Sequence, residues 1–115
     1  QRKLARPIDP KRPLHLVLRS SRARGAWSFL SPKNKLLVEK LIQAGAKHFG
    51  VKVLNHANVG NHLHLVVVPK NKMLFQGFLR WFSGRLAFTI TGAKKGNPVG
   101  RFWDALAYSR VLSWG

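Results

Sequence analysis

Two histidines, His62 and His64, have the residue type and spacing best suited to chemistry in this chain. They open an apolar, partly β-branched run, His62–Val68, which predicts a β-strand that ends at Pro69. Residues two apart on a strand project from the same face, so the two imidazoles are expected to lie side by side. Such a pair can hold a divalent metal ion together with a third side chain and water. The alternative is a pair of ordinary, half-exposed strand histidines.

Other polar side chains are expected either to join this site or to serve only the fold. His15 is predicted to share the face of the histidine pair, and His56 lies on the partner strand of the expected hairpin. Each could bind or tune a metal, although a surface histidine is the favoured interpretation. His48 is explained by the dipole at a helix end. Asp104 is expected to form a structural ion pair with nearby arginines rather than to ligate a metal.

The charge of the chain points to a polyanionic partner. Twenty-one Lys and Arg residues stand against three acids, which gives a formal net charge of +18. A domain so unbalanced repels itself unless it binds polyanions. No predicted helix opposes a basic face to a wholly apolar one, as a membrane-surface helix would. Nucleic acid is therefore the predicted partner.

Basic and aromatic residues on several elements are the predicted nucleic-acid contacts. Trp27 and Phe29 lie in a basic loop and are expected to stack on bases, whereas Trp81 and Trp103 are expected to belong to the core. The predicted phosphate contacts are Arg19, Arg22, Arg24, Arg80, Arg85, Lys94, Lys95 and Arg101.

Several classes of protein are excluded by what the sequence lacks. It has no cysteine, and no apolar run approaches the length of a membrane span. The basic, proline-containing start has no apolar segment of a secretory signal. These features predict a cytoplasmic protein without a membrane partner. The absence of a P-loop and of paired carboxylates excludes ATP-driven enzymes and two-carboxylate hydrolases.

The elements that must position the histidines follow from periodicity and turn residues. A basic arm over residues 1–13 is predicted to precede one domain over residues 14–115. The predicted order is β-α-β-β-α-β, an α+β, ferredoxin-like, four-stranded antiparallel sheet with both helices on one face. The other face is expected to be open and to carry the histidine pair with Val66 and Val68. The predicted strands cover 14–19, 51–58, 62–68 and 102–112, and the predicted helices run from Pro32 to about Phe49 and from Met73 to about Ile90.

The string Asn61-His62-Leu63-His64-Leu65, beside a hairpin turn, resembles the His-hydrophobic-His signature of the single-tyrosine HUH transposases. That family includes insertion-sequence transposases and REP-associated tyrosine transposases. Residues 14–19 are similar to the family's first strand, and residues 96–112 to its glycine–tryptophan stretch and following strand. The resemblance covers most of the chain from Pro13 onward.

The resemblance implies an enzyme that nicks and rejoins DNA in transposition. In such a protein His62 and His64, with a third polar ligand, would hold Mg²⁺ or Mn²⁺ at the scissile phosphate. A tyrosine would then attack, leaving a 5′-phosphotyrosine and a free 3′-OH. The implied partner is single-stranded or hairpin DNA, and the implied location is the nucleoid of the cytoplasm. The family includes dimers and monomers, so a homodimer is an open alternative.

The chain departs from the family at the nucleophile. The family's tyrosine and third ligand lie on a helix after the fourth strand, and this sequence ends at Trp114-Gly115, where that helix should start. Its only tyrosine, Tyr108, falls inside the predicted fourth strand, where aromatic residues usually pack. Tyr108 is a candidate nucleophile for which packing is the favoured interpretation, and the catalytic residue is otherwise unassigned. Either the sequence is truncated, or the domain binds DNA without cutting it.

A non-catalytic, ribosome-associated RNA-binding protein of the same fold is the alternative function. In that case the sheet would bind RNA through charge and aromatics, and the histidine pair would be incidental. RNA-recognition sheets stack bases on aromatic residues, where the third strand of this chain offers His and Val. The transposase-type function is therefore favoured.

Overall fold

The computed structural model describes residues 13–92, 102–104 and 111–113. The first strand, β1 (Leu14–Arg19), has the predicted bounds. Its leucines at 14, 16 and 18 are buried, and the residues between them face the other side of the sheet. The following loop includes a 3₁₀ turn at Gly25–Trp27.

The first helix, α1 (Pro32–Phe49), begins and ends where the sequence predicts. Ser31 has extended backbone before the helix, and proline occupies the first turn, where its missing N–H costs nothing. Gly50 ends the helix in the left-handed region, with φ of 64°. The buried residues of α1 follow one helical face: Asn34, Val38, Leu41, Ile42 and Gly45.

The second and third strands, β2 (Lys52–Asn58) and β3 (His62–Val68), form the predicted hairpin. The Val59 N–H donates to the His62 carbonyl at 3.0 Å, which closes the turn. Gly60 has φ of 100°, a conformation that other residues rarely adopt. The turn sequence therefore determines where β3, and with it the histidine pair, begins.

The second helix, α2 (Lys72–Thr91), extends one residue further at each end than the sequence predicts. Asn71 caps it by accepting a hydrogen bond from the Leu74 N–H at 2.8 Å. Gly92 ends it in the left-handed region. The face toward the sheet is rich in aromatics and consists of Phe75, Phe78, Leu79, Phe82 and Leu86.

The strands form a three-stranded antiparallel sheet in the order β2-β3-β1, and the two helices pack on one face of it. Buried side chains from β1, β3, α1 and α2 form one hydrophobic core between the layers. The predicted α+β class is confirmed. A three-residue extended segment, Val111–Ser113, pairs with β1 beside His15 and Leu16. Within the described part of the chain, no helix has the length and apolar character needed to cross a membrane.

A bulge in β2 changes which face of the sheet its later residues occupy. Val53 pairs with Val67 on the core side, but Asn55 pairs with Val66 on the open side, because Leu54 is an extra residue between them. Strict alternation would instead have placed Asn55 on the face of Val51 and Val53. Leu54 is left about half exposed at the bulge.

The prediction that the last strand begins at residue 102 is wrong. Residues 102–104 are not extended strand; they fold against the loop after β1. Ser20 donates from its hydroxyl to the Phe102 carbonyl at 2.6 Å, and the Asp104 N–H donates to the Arg19 carbonyl at 2.9 Å. The Phe102 ring is buried, so this segment completes the core instead of forming a sheet edge.

Candidate nucleic-acid and metal site on the open face

The rings of His62 and His64 lie side by side on the face of the sheet that the helices leave open. Their centroids are 4.9 Å apart and their planes meet at 70°. The residues between and after them, Leu63 and Leu65, are buried on the opposite face. The alternation predicted from the sequence therefore places both imidazoles where solvent or a ligand can reach them.

The open face brings β1 residues directly beside the histidines. In the antiparallel register Arg19 is opposite His62, and Val17 is opposite His64. His15 pairs with Val66, so it shares the face but lies one pairing step beyond the histidine pair. The site is thus bordered by a guanidinium on one side and by half-buried valines on the other.

Asn61 orients the ring of His62. Its side-chain oxygen lies 2.8 Å from Nδ1 of His62. An amide oxygen only accepts, so this contact favours the tautomer with the proton on Nδ1 and the lone pair on Nε2. Hydrogen bonds of this kind commonly fix the rings of metal-binding histidines. The sequence alone identifies Asn61 only as a residue beside the hairpin turn.

Partial burial lowers the pKa of His62 below its ordinary value of 6.5, and the neighbouring charges of His64 and Arg19 lower it further. A lowered pKa keeps the ring neutral at physiological pH, which is the form that binds a metal. The Arg19 guanidinium also makes the site attractive to an anion such as a phosphate.

The two imidazoles supply two of the ligands that a metal site needs. Metal–nitrogen bonds of about 2.1 Å allow two imidazoles at this separation to share one ion. No group of three or more His, Cys, Asp or Glu side chains suited to a metal occurs among the residues that the structure describes. His15 therefore does not complete such a group. His56 lies on the helix side of the sheet, opposite Leu65, in a groove with Ile42 and Ala46 of α1.

Three of the predicted phosphate contacts lie on β1 and in the loop that follows it. Arg19 ends β1, and Arg22 and Arg24 are exposed in the loop that follows. The Ser20 N–H donates to the Asn61 carbonyl at 2.9 Å, which holds the start of this loop beside the histidine strand. The histidines and these arginines thus border the same end of the sheet.

Two further predicted phosphate contacts lie in the other layer. Arg80 and Arg85 are exposed on α2, and the core separates them from the open face. One strand lying flat on the open face would not contact them. Lys94, Lys95, Arg101 and Tyr108 lie outside the described residues, as do Trp114 and, apart from Pro13, the predicted basic arm.

The aromatic residues of the basic loop divide between core and surface. Phe29 is fully buried, so the prediction that it stacks on bases is wrong. Its ring packs against Phe102 and Trp103, with centroids 6.1 Å and 5.6 Å away. Trp27 is only partly buried and packs on the edge of the core, with its ring 6.3 Å from Phe102. Trp103 donates from its ring nitrogen to the Ser83 carbonyl at 2.9 Å.

Two polar residues shape this loop in ways the sequence did not reveal. Asn34 is buried, and its amide donates to the carbonyls of Ala26 and Ser28, both at 3.0 Å. Its position on the apolar stripe of α1 is the signal that could have identified it. Asp104 accepts from the N–H and hydroxyl of Ser21 at 2.7 and 3.0 Å. These bonds give Asp104 a structural role at the turn after β1.

No model of a known protein family matches this chain, and no curated protein matches its sequence at a significant level. The resemblance to the single-tyrosine HUH transposases rests on the residues quoted above and stays a prediction.

Proposed function

We propose that this chain is a transposase-type domain that binds single-stranded or hairpin DNA and holds Mg²⁺ or Mn²⁺ between His62 and His64. The observation that carries the proposal is the pair of adjacent imidazoles, 4.9 Å apart, on the open face of the sheet. The net charge of +18 supports a nucleic-acid partner, because each neutralised phosphate releases counterions.

Each side chain at the site has a defined part in this proposal. Nε2 of His62, oriented by Asn61, and a nitrogen of His64 would be the protein ligands, with water or a further group completing the coordination. The bound ion would offset charge on a phosphate placed against it. Arg19, directly opposite His62, would hold a neighbouring phosphate oxygen by a charge-assisted hydrogen bond. Val17 and Val66 would contact the apolar part of the bound strand.

The strand cleavage implied by the resemblance uses a tyrosine nucleophile, and the described residues include no tyrosine. Tyr108 is the only tyrosine of this sequence, and it lies outside them. With a tyrosine nucleophile, the domain would nick and rejoin DNA through a covalent phosphotyrosine. We also propose that Val111–Ser113 is the end of a fourth strand, which would complete the ferredoxin-like order β2-β3-β1-β4.

One observation favours a second function, metal-independent RNA binding by a non-catalytic protein. Arg19 stands opposite His62, so the site carries positive charge before any metal binds. A cation beside the two imidazoles repels a divalent metal ion and favours binding of a phosphate without a metal. In this function the histidines would contribute only hydrogen bonds.

Calorimetric titration with Mn²⁺ tests the proposal. The native domain is expected to bind one Mn²⁺, and the double variant His62→Ala/His64→Ala is expected to lose that binding. His56→Ala is the matched control, because His56 is an exposed strand histidine on the opposite side of the sheet. Its affinity for Mn²⁺ should equal that of the native domain.

Two results would contradict the proposal. One is Mn²⁺ binding that survives in the double variant, and the other is the absence of Mn²⁺ binding to the native domain. In the second case, the RNA-binding function would be supported if the domain bound an RNA loop more tightly than a DNA hairpin of the same length. This preference should be the same with and without EDTA. Circular dichroism of each variant checks that the fold is retained.

A further inference from the structure

Trp27 occupies an unusual position for a tryptophan beside an aromatic core. The fully buried aromatic of its loop is Phe29, and Phe102 is buried next to it. Trp27 stays partly exposed at the edge of this cluster, with its ring tilted by 58° to that of Phe102. The core is therefore closed largely by the two phenylalanines, and part of the indole surface remains available for a ligand.

An arginine covers the indole. The guanidinium carbon of Arg22 lies 5.6 Å from the centroid of the Trp27 ring. Arg22 is itself exposed, so this is a solvated cation–π contact, the weaker kind. A base stacked on a tryptophan is generally held more strongly than such a contact. A base can therefore compete with the guanidinium for the face of the indole.

The backbone around Trp27 is held in place before any ligand binds. The buried side chain of Asn34 donates to the carbonyls of Ala26 and Ser28, the residues on either side. The Trp27 N–H donates to the Arg24 carbonyl at 3.1 Å, and Ala23 is buried. Stacking on Trp27 would thus cost little ordering of the loop, which favours binding.

We propose that Arg22 and Trp27 form an exchange site for one unpaired base. The base stacks on the indole and displaces the guanidinium, which then binds a phosphate of the same strand. This inference rests on the proposed function, because it assumes that a single-stranded nucleic acid binds the domain. It adds to that function the exchange of a guanidinium for a base on the predicted stacking residue, Trp27.

The test compares two probes with the same number of phosphates. One is a fluorescein-labelled thymidine oligonucleotide of about 12 nucleotides, and the other is an abasic strand of that length. Binding is followed by anisotropy in EDTA, so the histidine site contributes no metal. The native domain is expected to bind the thymidine strand about 5- to 150-fold more tightly than the abasic strand. Trp27→Ala should bind both strands alike, and Trp27→Phe should keep most of the preference.

The arginines of the loop provide matched controls. Arg22→Gln and Arg24→Gln each remove one exposed charge, but only Arg22 covers the indole. Both variants should weaken binding of the abasic strand to a similar extent. Only Arg22→Gln should change the tryptophan emission of the free domain, measured as the difference from the same variant carrying Trp27→Phe.

The outcomes separate this inference from the proposed function. Equal binding of the two strands by the native domain, or an unchanged preference in a folded Trp27→Ala variant, would overturn the exchange site alone. Absence of binding to both strands would overturn both proposals. Mn²⁺ binding at His62 and His64, measured without DNA, does not depend on Trp27 and tests the metal site separately.

Discussion

His62 shows how neighbouring residues adjust the chemistry of one imidazole. Its position in an alternating strand could be predicted from the sequence, because the alternation alone places it on the face away from the leucines. Its tautomer and its lowered pKa could not. The tautomer depends on the orientation of the neighbouring Asn61 side chain, and the lowered pKa depends on partial burial, on His64 and on Arg19 across the sheet. The prediction that Phe29 stacks on bases is wrong for a related reason. Only the tertiary fold shows that residues 102–104 cover its ring.

We expect an NMR titration of His62 to have its midpoint below 6.5, because partial burial, His64 and Arg19 all lower its pKa. Removal of a neighbouring charge in Arg19→Gln should move the midpoint upward, whereas Arg24→Gln should leave it nearly unchanged. Between the lowered pKa and 6.5 the unfolded chain binds more protons than the folded one. The His62 contribution to stability should therefore increase as pH rises across that window. An unchanged midpoint in Arg19→Gln would show that the arginine does not act on the ring.

At the level of helices and strands, local sequence patterns predict where most elements begin and end. The features that they do not predict depend on residues distant in the sequence. β1 and β3 have the predicted bounds, and Gly50 ends α1 as expected. The bulge at Leu54 could not be predicted, because it is defined by the pairing of β2 with β3 and not by β2 alone. The loop after β1 depends likewise on Asn34, a residue of the following helix.

Two helical glycines should respond in opposite ways to alanine. A Cβ at Gly45 would meet the Phe78 ring at 2.7 Å, and that ring is fully buried and cannot move aside cheaply. Gly45→Ala should therefore lower the free energy of unfolding by about 1–3 kcal/mol. Gly84 has nothing within 4 Å, so Gly84→Ala should raise it by about 0.5–1 kcal/mol through helix propensity. Urea denaturation measures both, and equal effects would contradict the described packing of α1 against α2.

Removal of the buried amide that holds the basic loop should destabilise the domain. Asn34→Ala leaves the Ala26 and Ser28 carbonyls without this donor, and a cost of about 1–3 kcal/mol is expected. Gln43→Ala, at an exposed position of the same helix, should change stability by less than about 0.5 kcal/mol. If urea denaturation gave Asn34→Ala the stability of the control, the loop would be held by other contacts.

At the level of the whole molecule, the described basic residues among the predicted phosphate contacts divide between two layers with different surroundings. Arg19, Arg22 and Arg24 lie on β1 and in the loop after it, at the histidine end of the sheet, while Arg80 and Arg85 lie in the helical layer. The amount of charge and the expected class of partner follow from the sequence, but this division does not. Which residues share a surface is decided by how the helices pack on the sheet.

Salt dependence should distinguish the two layers. Binding of a single-stranded DNA should weaken as salt rises, and Arg19→Gln/Arg22→Gln/Arg24→Gln should reduce the slope of log K against log salt by about 2. Arg80→Gln/Arg85→Gln should reduce it far less, because these side chains lie across the core from the open face. Equal reductions in the two variants would indicate that the strand does not lie on the open face.

The most direct measurement of the central claim is the position of a bound metal. Mn²⁺ broadens the NMR signals of nearby nuclei, so titration of the ¹⁵N-labelled domain locates the ion. If the ion binds between the two imidazoles, the backbone signals of His62 and His64 should broaden first, together with those of Val17 and Arg19, which pair with them across β1. Broadening centred on His48 or His56, or uniform weak broadening without a centre, would contradict it.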